Sequence, residues 1–569
     1  MKILFITSSH NGLSQRAWAE LSAKGHVVEI QLATSNEAMI SAVSAFKPDL
    51  ILAPFLKKAI PDSIWKSTTC LIVHPGIKGD RGPSSLDWAV MSQKTEWGVT
   101  VLQADEEMDA GDIWSSNNFE MRSISKSNLY RHEVTQAALV GILDAVAKFQ
   151  SKTFCPEKLD YTKPEVKGTW NDPVKRVDRR IDWNLSTDQI ITKINAADSN
   201  PGVLEEEILP FPCFMFGAHK EGSLNGDPGL IIAKREEAIC IATGDGAIWV
   251  SHLKKRGAAN FKLPATTVLN DKLSDVLLVP RDVMNDDLSV ATFRDIWYEE
   301  KENVGYLHFD FYNGAMSTSQ CQRLRKAYFN AKARNTDIIV LMGGHDIWSN
   351  GIHLNVIENA LNPADESWDN IVAIDDFVRD VITTDSHYII SAMRGNAGAG
   401  GVIMALAADD IIARKGIILN PHYKKMGLFG SEYWTYLLPK RVGDNKAKEL
   451  IEDCLPLDTQ EALKIGLIDK AVGTSLKEFE TALGKRINDI KRTIDMPQFK
   501  MAKKKSLMTQ EMIKPIDEFR NRELGEMWNN FYSLSSNYHS LRYFFVHKIE
   551  CGQQPKSIKL DNFKVSEYA

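Results

Sequence analysis

Short apolar runs alternate with amphipathic segments over the first 150 residues. The runs predict buried strands. The segments have apolar side chains at helical spacing, so they predict helices that cover a doubly wound parallel sheet. The predicted strands are 3–7, 27–32, 49–53 and 70–73, and the predicted helices are 13–23 and 37–45. Ligands of such sheets bind beyond the carboxyl ends of the strands, so we expect ligand contacts in the loops 8–12 and 74–76.

The composition and the predicted secondary structure change twice in the middle of the chain. Residues 157–173 are polar and contain prolines, which is typical of a linker, and a helical stretch is predicted over 179–194. Short apolar runs with dense turns follow and predict a small β-rich domain. These runs are 213–217, 230–232, 239–242 and 249–253.

A second α/β pattern begins near residue 304. Its last strand leads into a glycine-rich segment, 395–401, which opens an apolar helix. Beyond residue 475 the chain is charged and aromatic and is predicted to be helical, ending with the segment 532–547. The predicted strands of this half are 304–311, 337–342 and 389–393, with a helix at 318–334. We therefore expect an α/β multidomain protein with domains at 1–165, 175–280, 295–475 and 476–569, the last a helical extension.

The composition narrows the classes of function. Net charge is −6 with 25% charged residues, so we expect no nucleic-acid partner. The first apolar run reads as a buried strand rather than a signal peptide, and no apolar run is long enough to span a membrane. The cysteines are scattered without metal-ligand spacing, which predicts free thiols, a cytoplasmic location and no metal site. They are Cys70, Cys155, Cys213, Cys240, Cys321, Cys454 and Cys551.

A histidine and an aspartate mark the first candidate site. His74 follows a predicted strand in the sequence His-Pro-Gly, and Asp109 lies in an Asp-Ala-Gly turn 35 residues later (109 − 74 = 35). An imidazole can exchange protons near neutral pH, and a carboxylate beside it can orient the ring or stabilise its cation. The pair therefore predicts a proton-transfer site.

These motifs resemble the formyltransferases that use 10-formyltetrahydrofolate. The resemblance covers residues 1–275 and implies that Asp109, rather than Asp112, is the catalytic carboxylate. It also implies a barrel-like fold for the small β-rich domain. The shared motifs are His-Pro-Gly at 74–76, Arg81 before Gly82, Asp87-Trp88, Asp-Ala-Gly at 109–111, Arg-Ile-Asp-Trp at 180–183 and Asn-Pro-Gly at 200–202.

The sequence departs from that family at one position. The family has an asparagine two residues before the histidine, where its amide binds the formyl oxygen, whereas this chain has Ile72. Loss of one such donor typically lowers the rate by about 10²–10³. Gln15 lies one helical turn after the loop 8–12, and Arg131 begins the helix after the Asp109 hairpin. These two residues are the candidates for binding the folate or replacing the missing donor.

Two glycine-containing loops mark the second candidate site. Four of the seven residues at 395–401 are glycines at the start of a helix, which allows backbone amides to approach a ligand. Together with 349–354, this segment resembles the crotonase (enoyl-CoA hydratase/isomerase) superfamily over 300–475. The resemblance implies that the amides of Ile352 and Gly400 hold the thioester oxygen of an acyl-coenzyme A.

The hydratase acids of that superfamily are missing. The positions that carry them are Ile403 and His422 in this chain, so water addition to a double bond is not expected. Glu432 is the candidate base or acid that replaces them. Tyr423 or Tyr436 is the candidate hydrogen-bond donor.

A formyltransferase-like half followed by a crotonase-like half resembles the HypX/HoxX family of NiFe-hydrogenase maturation factors. The resemblance implies a formyltransferase coupled to a formyl-coenzyme A decarbonylase, a lyase that makes the carbon monoxide ligand of the hydrogenase iron. Its substrates would be 10-formyltetrahydrofolate and coenzyme A. Its protein partners would be other maturation proteins or the hydrogenase large subunit. Arg542, in the helical extension, is a candidate contact for phosphate or folate.

Two other functions fit the same residues. The chain could formylate an amine, on a sugar nucleotide or a tRNA, with a non-catalytic crotonase-like half. It could also be a carrier or assembly chaperone for hydrogenase precursors, which the losses at Ile72, Ile403 and His422 favour. Binding of folate and coenzyme A, and the fate of the formyl carbon, discriminate between these functions.

Overall fold

The computed structural model describes residues 1–257 and 260–549. They divide into two units. The first unit contains Met1–Arg180 and Thr192–Val203, and the second contains Ile181–Ile191 and Leu204–Ile549. The last twenty residues of the predicted helical extension (550–569), including Cys551, lie outside the described residues.

The first unit is built on a six-stranded sheet with the order β2-β1-β3-β4-β5-β6. The strands are β1 (Lys2–Thr7), β2 (Val27–Leu32), β3 (Leu50–Ala53), β4 (Cys70–His74), β5 (Glu96–Gln103) and β6 (Ile113–Glu120). Strands β1–β4 are parallel, as predicted, but β5 and β6 are antiparallel. The parallel pairing of the four predicted strands is therefore confirmed, and β5 and β6, which the hydrophobic pattern did not predict, add an antiparallel edge. The helix between β4 and β5 has only seven residues, Ser85–Met91, and the chain enters β5 at the end of the sheet where β4 finishes.

Helices cover this sheet where the apolar spacing predicts them. Asn11 begins the first helix by accepting a hydrogen bond from Ser14 N, which satisfies a free amide of the first turn. The helices are α1 (Gly12–Ala23), α2 (Asn36–Phe46), α3 (Asp62–Trp65), α4 (Ser85–Met91), α5 (Lys126–Leu129), a π-helical turn (Tyr130–Val134), α6 (Thr135–Ser151) and α7 (Arg176–Arg179). The predicted helix over 179–194 was wrong at its start, because α7 ends at Arg179 and α8 (Thr187–Ala197) begins after a turn.

The segment predicted as a linker is packed against the site-bearing loop of the first unit. Gly168 N donates to Lys78 O at 3.0 Å. A Cβ at Gly168 would overlap the backbone of Gly79 and Asp80. Residues 157–173 are polar because most of their side chains face solvent, yet their backbone forms one wall of the loop.

The second unit begins with a small antiparallel sheet in the order β7-β8-β11-β10-β9, with β12 beside β11. Its elements are β7 (Val203–Glu205), β8 (Cys213–Glu221), β9 (Ile231–Arg235), β10 (Ala238–Ala242), β11 (Ala247–Lys255), β12 (Leu263–Pro264), α9 (Ala265–Leu269) and a 3-10 turn (Asn270–Leu273). Within the described residues the end strands β7 and β9 do not pair, so the sheet is open rather than a closed barrel.

The rest of the second unit is a larger, mostly parallel sheet with the order β13-β14-β15-β17-β19-β22. Successive residues of its strands face opposite layers: Leu341 packs with α10 and α12, and Val340 packs with α17. A smaller sheet, β16-β18-β20-β21, carries the glycine-rich segment. The strands are β13 (Ile296–Lys301), β14 (Val304–Phe309), β15 (Ile338–Met342), β16 (Ile347–Ser349), β17 (Tyr388–Met393), β18 (Asn396–Gly398), β19 (Asp410–Arg414), β20 (Ile418–Asn420), β21 (Leu457–Asp458) and β22 (Lys470–Val472).

Helices surround these two sheets and extend beyond them. The helices are α10 (Thr318–Lys332), α11 (Leu354–Asn359), α12 (Pro363–Ile382), α13 (Gly400–Leu406), α14 (Trp434–Val442), α15 (Asp444–Asp453), α16 (Thr459–Lys464), α17 (Leu476–Thr493), α18 (Met496–Ile513), α19 (Ile516–Tyr532) and α20 (Tyr538–His547), with 3-10 turns at Tyr312–Gly314 and Tyr423–Met426. The region beyond residue 475 is helical, as predicted, and the segment 532–547 at its end contains the last residue of α19, a turn and α20. Among the described residues, none of the helices combines the length and apolar character needed to cross a membrane.

Candidate active sites

The first candidate site lies at the carboxyl end of β4, whose last residue is His74. His74 is opposite Thr100 of β5, and Asp109 lies in the turn that joins β5 to β6. The φ angle of Asp109 is +56°, a left-handed conformation that aspartate tolerates better than most residues. This turn geometry brings the Asp109 carboxylate to the edge of the imidazole.

Both ring nitrogens of His74 face carboxylates. Nε2 is 2.9 Å from Asp80 Oδ2, and Nδ1 is 3.5 Å from Asp109 Oδ1. The side chain of Asp80 is fully buried, whereas that of Asp109 is 13% exposed. Gly82 N donates a hydrogen bond of 3.2 Å to Asp109 Oδ2. The imidazole and the carboxylate that the sequence pairs are therefore brought together in an arrangement that can move a proton.

Asp80 is a site residue that the sequence reasoning missed. A Cβ at Gly76 would overlap both His74 Nε2 and Asp80 Oδ2, so glycine permits the close contact between them. Asn171 Nδ2 donates to the other carboxylate oxygen, Asp80 Oδ1, at 3.2 Å. The sequence feature that could have identified Asp80 was a carboxylate six residues after His74, with Gly76 between them.

The predicted folate-binding residues make local contacts. Gln15, on α1, donates from Nε2 to His10 O at 2.9 Å. Arg131, in the π-helical turn, donates from Nη1 to Asn128 Oδ1 at 3.0 Å. Ile72 packs against the apolar cluster that includes residues of α2 and α3. Its side chain has no polar atom that could replace the missing amide. The contacts of Gln15 and Arg131 with folate remain predictions.

The second candidate site surrounds Glu432. Its side chain is 1% exposed, and its carboxyl group lies against the backbone of Gly400, where a Cβ would overlap Oε1. Tyr423 OH donates to Glu432 Oε2 at 2.6 Å. Tyr436 is placed differently: its OH accepts a hydrogen bond of 3.3 Å from Lys440 Nζ on the same helix. Of the two candidate tyrosines, the structure therefore joins Tyr423 to Glu432.

Two further buried carboxylates, which the sequence reasoning also missed, hold the Glu432 loop. Asp375 on α12 accepts a hydrogen bond of 2.8 Å from Glu432 N. Glu523 on α19 accepts hydrogen bonds of 2.8 and 2.7 Å from the amides of Tyr433 and Thr435. Glu432 and Tyr433 have φ angles of +60° and +63°. Two successive left-handed residues are costly, so these carboxylates stabilise an otherwise unfavourable backbone.

The electrostatics of this cluster favour protonated acids. Burial raises the pKa of Glu432 to about 8, and the nearby Asp375 carboxylate acts in the same direction. Burial also raises the pKa of Asp375 to about 6, and it raises the pKa of Glu523 well above its ordinary value. Near neutral pH, Glu432 can therefore give up or accept a proton at little cost.

This cluster predicts a pH dependence of stability. The folded chain keeps protons on Glu432 and Asp375 that the unfolded chain releases above its ordinary carboxyl pKa, near 4. The free energy of unfolding therefore falls as the pH rises above about 4 and levels off once the pH has passed the folded pKa values of about 6 and 8. We expect the thermal unfolding midpoint, followed by circular dichroism, to fall between about pH 5 and pH 8, and to fall less in Glu432→Gln. An equal fall in both proteins would contradict this assignment.

The two predicted oxyanion donors lie in neighbouring loops. Ile352 follows Gly351, and a Cβ at Gly351 would lie 3.4 Å from Gly400 N. Gly351 N itself donates to Ser349 Oγ at 3.0 Å, and Ile352 bridges to Met316. The amides of Ile352 and Gly400 are therefore near one another; binding of a thioester oxygen by both remains a prediction.

The two hydratase-acid positions carry no carboxylate. Ile403 is completely buried in α13. His422 donates from Nδ1 to Asn420 O at 2.7 Å, and burial lowers its pKa to about 4. Neither residue is a carboxylic acid, so the paired acids of a hydratase are absent from these two positions.

Arg542 has protein partners in the second unit. Its Nε donates to Glu358 Oε2 at 2.7 Å, and its guanidinium lies over the ring of Tyr538. The side chain is 6% exposed. A ligand contact of Arg542 remains a prediction, and such a contact would share the guanidinium with Glu358.

No group of three metal-ligating side chains is found in the part of the chain that the structure describes. The six cysteines within that part are free thiols.

Family models match both halves of the chain. The formyl transferase model matches residues 3–143, and the model of the formyl transferase C-terminal domain matches 173–270. The enoyl-CoA hydratase/isomerase model matches 299–536. These matches confirm the resemblances drawn from the motifs.

Individual relatives extend the match over the whole chain. The hydrogenase maturation factor HoxX of Bradyrhizobium diazoefficiens is 42% identical over 566 residues, which cover 98% of this chain and 97% of that protein. The crystal structure of HypX from Aquifex aeolicus in complex with tetrahydrofolic acid matches with a TM-score of 0.93 and 43% identity, covering 97% of each chain. The methionyl-tRNA formyltransferase of Bacillus subtilis is 24% identical over 39% of this chain and 70% of its own length.

Proposed function

Because the chain belongs to the HypX/HoxX family of hydrogenase maturation factors, we propose that it makes the carbon monoxide ligand of NiFe-hydrogenase from a formyl group. The donor is 10-formyltetrahydrofolate, and coenzyme A is the intermediate carrier. The first site transfers the formyl group to the thiol, and the second site releases carbon monoxide from formyl-coenzyme A.

The first reaction exchanges a carbon–nitrogen bond for a carbon–sulfur bond. His74 accepts the thiol proton, and the thiolate attacks the formyl carbon. The bond from that carbon to N10 then breaks, and N10 takes up the proton. Asp109 stabilises the imidazolium that forms between these steps, because its carboxylate faces Nδ1 at 3.5 Å.

The second reaction removes a proton and a thiolate from the same carbon. Glu432 accepts the formyl proton, the carbon–sulfur bond breaks, and the sulfur is protonated to regenerate the thiol. The products are carbon monoxide and coenzyme A. A carboxyl pKa of about 8 lies close to the ordinary thiol pKa of about 8.5, so one carboxyl group can relay the proton in both directions. Tyr423 donates to Glu432 and orients it.

One observation carries this proposal: the buried carboxyl of Glu432 lies against Gly400, with Tyr423 as its partner. By the resemblance to the crotonase superfamily, the amide of Gly400 would hold the carbonyl of a thioester. An acid beside that position, with no carboxylate at Ile403 or His422, fits elimination from a thioester better than hydration of a double bond.

The residues around both sites fit their substrates. Glycine at 351 and 400 leaves the amides of the two loops uncovered by a Cβ, as binding of a thioester oxygen requires. The related protein from Aquifex aeolicus binds tetrahydrofolic acid, which supports folate as the donor here. Gln15 and Arg131 would hold the folate, and Arg542 would contact phosphate or folate.

The decisive experiment follows the formyl carbon. The purified full-length protein is incubated with 10-formyltetrahydrofolate labelled in the formyl group, with and without coenzyme A, and the gas phase and the solution are analysed. We expect labelled carbon monoxide only when coenzyme A is present, with formyl-coenzyme A as an intermediate. Label that moves only to an added amine would support an amine formyltransferase. Protein that binds neither substrate but binds hydrogenase precursor would support a chaperone.

The cellular compartment and the protein partners follow from the same proposal. Free thiols at the six described cysteines support a reducing compartment, and we place the protein in the cytoplasm. Its protein partners would be other hydrogenase maturation proteins or the hydrogenase large subunit.

A further inference from the structure

We infer that Asp80 is a positioning residue that fixes the proton of His74 on Nε2 and leaves Nδ1 to exchange protons with the substrate. The inference rests on the proposed formyl transfer at the first site. It assigns a role to a carboxylate that the transferase motifs do not include.

The two carboxylates around His74 are not equivalent. The bond between His74 Nε2 and Asp80 is 2.9 Å, whereas Asp109 is 3.5 Å from Nδ1. A neutral imidazole carries one proton, and the shorter contact to a fully buried carboxylate determines which nitrogen holds it. The Nδ1 side, next to the partly exposed Asp109, is the side that a substrate can reach.

Asp80 is held so that it cannot turn away from the ring. Asn171 Nδ2 donates to Asp80 Oδ1 and to Thr169 O, both at 3.2 Å. Because the Asn171 nitrogen serves two acceptors, the orientation of its amide is determined. The backbone of Asp80 is fixed by its hydrogen bond of 2.8 Å to Ile77 O and by the close approach of Gly168.

This arrangement makes an unusual prediction for Asp80→Asn. The introduced amide has one oxygen, and the NH₂ of Asn171 attracts it. Its own NH₂ then faces His74 Nε2, which must become an acceptor, so the ring proton moves to Nδ1. Asp80→Asn therefore inverts the tautomer of His74 instead of merely removing a charge.

The test compares the wild-type chain with full-length Asp80→Asn and with the double variant Asp80→Asn/Asn171→Ala. Asp112→Asn is the matched control, because it removes a carboxylate from the adjacent turn without a described contact to His74. The proteins are labelled with ¹⁵N-histidine. The resonances of His74 are identified by their absence from His74→Gln, and its tautomer is read at about pH 8.5.

We expect Nε2-H in the wild-type and Asp112→Asn proteins and Nδ1-H in Asp80→Asn. The kcat for formyl transfer should fall about 10²–10⁴-fold in Asp80→Asn, with little change in KM for the folate. In the double variant the introduced amide can turn its oxygen to Nε2. The Nε2-H tautomer should return, and kcat should recover about tenfold, the equivalent of one hydrogen bond.

Two results would overturn the inference: a wild-type His74 that carries its proton on Nδ1 or on both nitrogens, or an unchanged tautomer in Asp80→Asn. A double variant less active than Asp80→Asn would also overturn it, since that result indicates a purely structural role. A different result would contradict the proposed function and leave the role of Asp80 intact. If the wild-type protein transfers no formyl group while the tautomer inverts as expected, the role of Asp80 stands and the reaction at this site is a different one.

Discussion

His74→Ala is expected to lower formyl release from 10-formyltetrahydrofolate by about 10³-fold or more. The imidazole is the only group between the Asp80 and Asp109 carboxylates among the described contacts of this site. In the proposed reaction it accepts the thiol proton as the carbon–sulfur bond forms and returns it to N10 as the carbon–nitrogen bond breaks. General acid–base catalysis by one side chain typically contributes about 10²–10⁴-fold. The measurement is the rate at which tetrahydrofolate appears in the presence of coenzyme A.

Two further variants distinguish a loss of catalysis from a loss of stability in this experiment. His74→Ala leaves the Asp80 carboxylate buried without its partner, which destabilises the fold. His74→Gln keeps a polar side chain there and should be as inactive while retaining more stability. His26→Ala, in the turn before β2, should keep the wild-type rate. Persistent formyl release from His74→Gln would remove the imidazole from the mechanism.

Glu432→Gln is expected to abolish carbon monoxide release while formyl-coenzyme A accumulates. The amide cannot accept the formyl proton, and no carboxylate occupies the hydratase-acid positions Ile403 and His422. Loss of the proton relay should cost about 10²–10⁴ in rate. The measurement is labelled carbon monoxide in the gas phase together with labelled thioester in solution.

The glutamine variant should fold normally. Burial keeps Glu432 largely protonated at neutral pH, so an amide of the same shape replaces a neutral group and can still accept the hydrogen bond from Tyr423. Glu526→Gln, at an exposed position on α19, is the matched control and should retain full output. Carbon monoxide production by Glu432→Gln at the wild-type rate would refute the role given to this residue.

The hydrophobic pattern predicted four of the six strands of the first sheet and three of the six strands of the larger second sheet, but not the antiparallel direction of β5 and β6. Buried strands show the same run of apolar residues whether parallel or antiparallel, so the reversal at β5 has no hydropathic signal. The packing of residues 157–173 against the loop of the first site could not be predicted for a related reason. It depends on backbone contacts at Gly79 and Gly168, and polar side chains along that segment indicate only that it faces solvent.

The candidate sites were predictable where they depend on contiguous motifs. His74 and Asp109 were found through their His-Pro-Gly and Asp-Ala-Gly motifs. The order of the strands does not predict their proximity, because β4 and β5 are antiparallel and their carboxyl ends point in opposite directions. Asp375 and Glu523 could not be found in this way. They approach the Glu432 loop from helices 57 and 90 residues distant in sequence, and their carboxylates alone look like solvated helix faces.

The choice between Tyr423 and Tyr436 was also beyond the sequence. Both are aromatic residues near Glu432, and residue type does not say where each hydroxyl points. The left-handed backbone at Glu432 and Tyr433 directs the carboxyl towards Tyr423, and only the three-dimensional path of the loop reveals this.

The anchoring of the Glu432 loop by α19 sets the order in which the protein can mature on the ribosome. The amides of Tyr433 and Thr435 find their acceptor in Glu523, about ninety residues later in the chain. A nascent chain that has emerged only as far as α18 therefore has both crotonase-like sheets available but no partner for this turn. The turn that carries Glu432 is therefore completed last, after the first unit has had time to form.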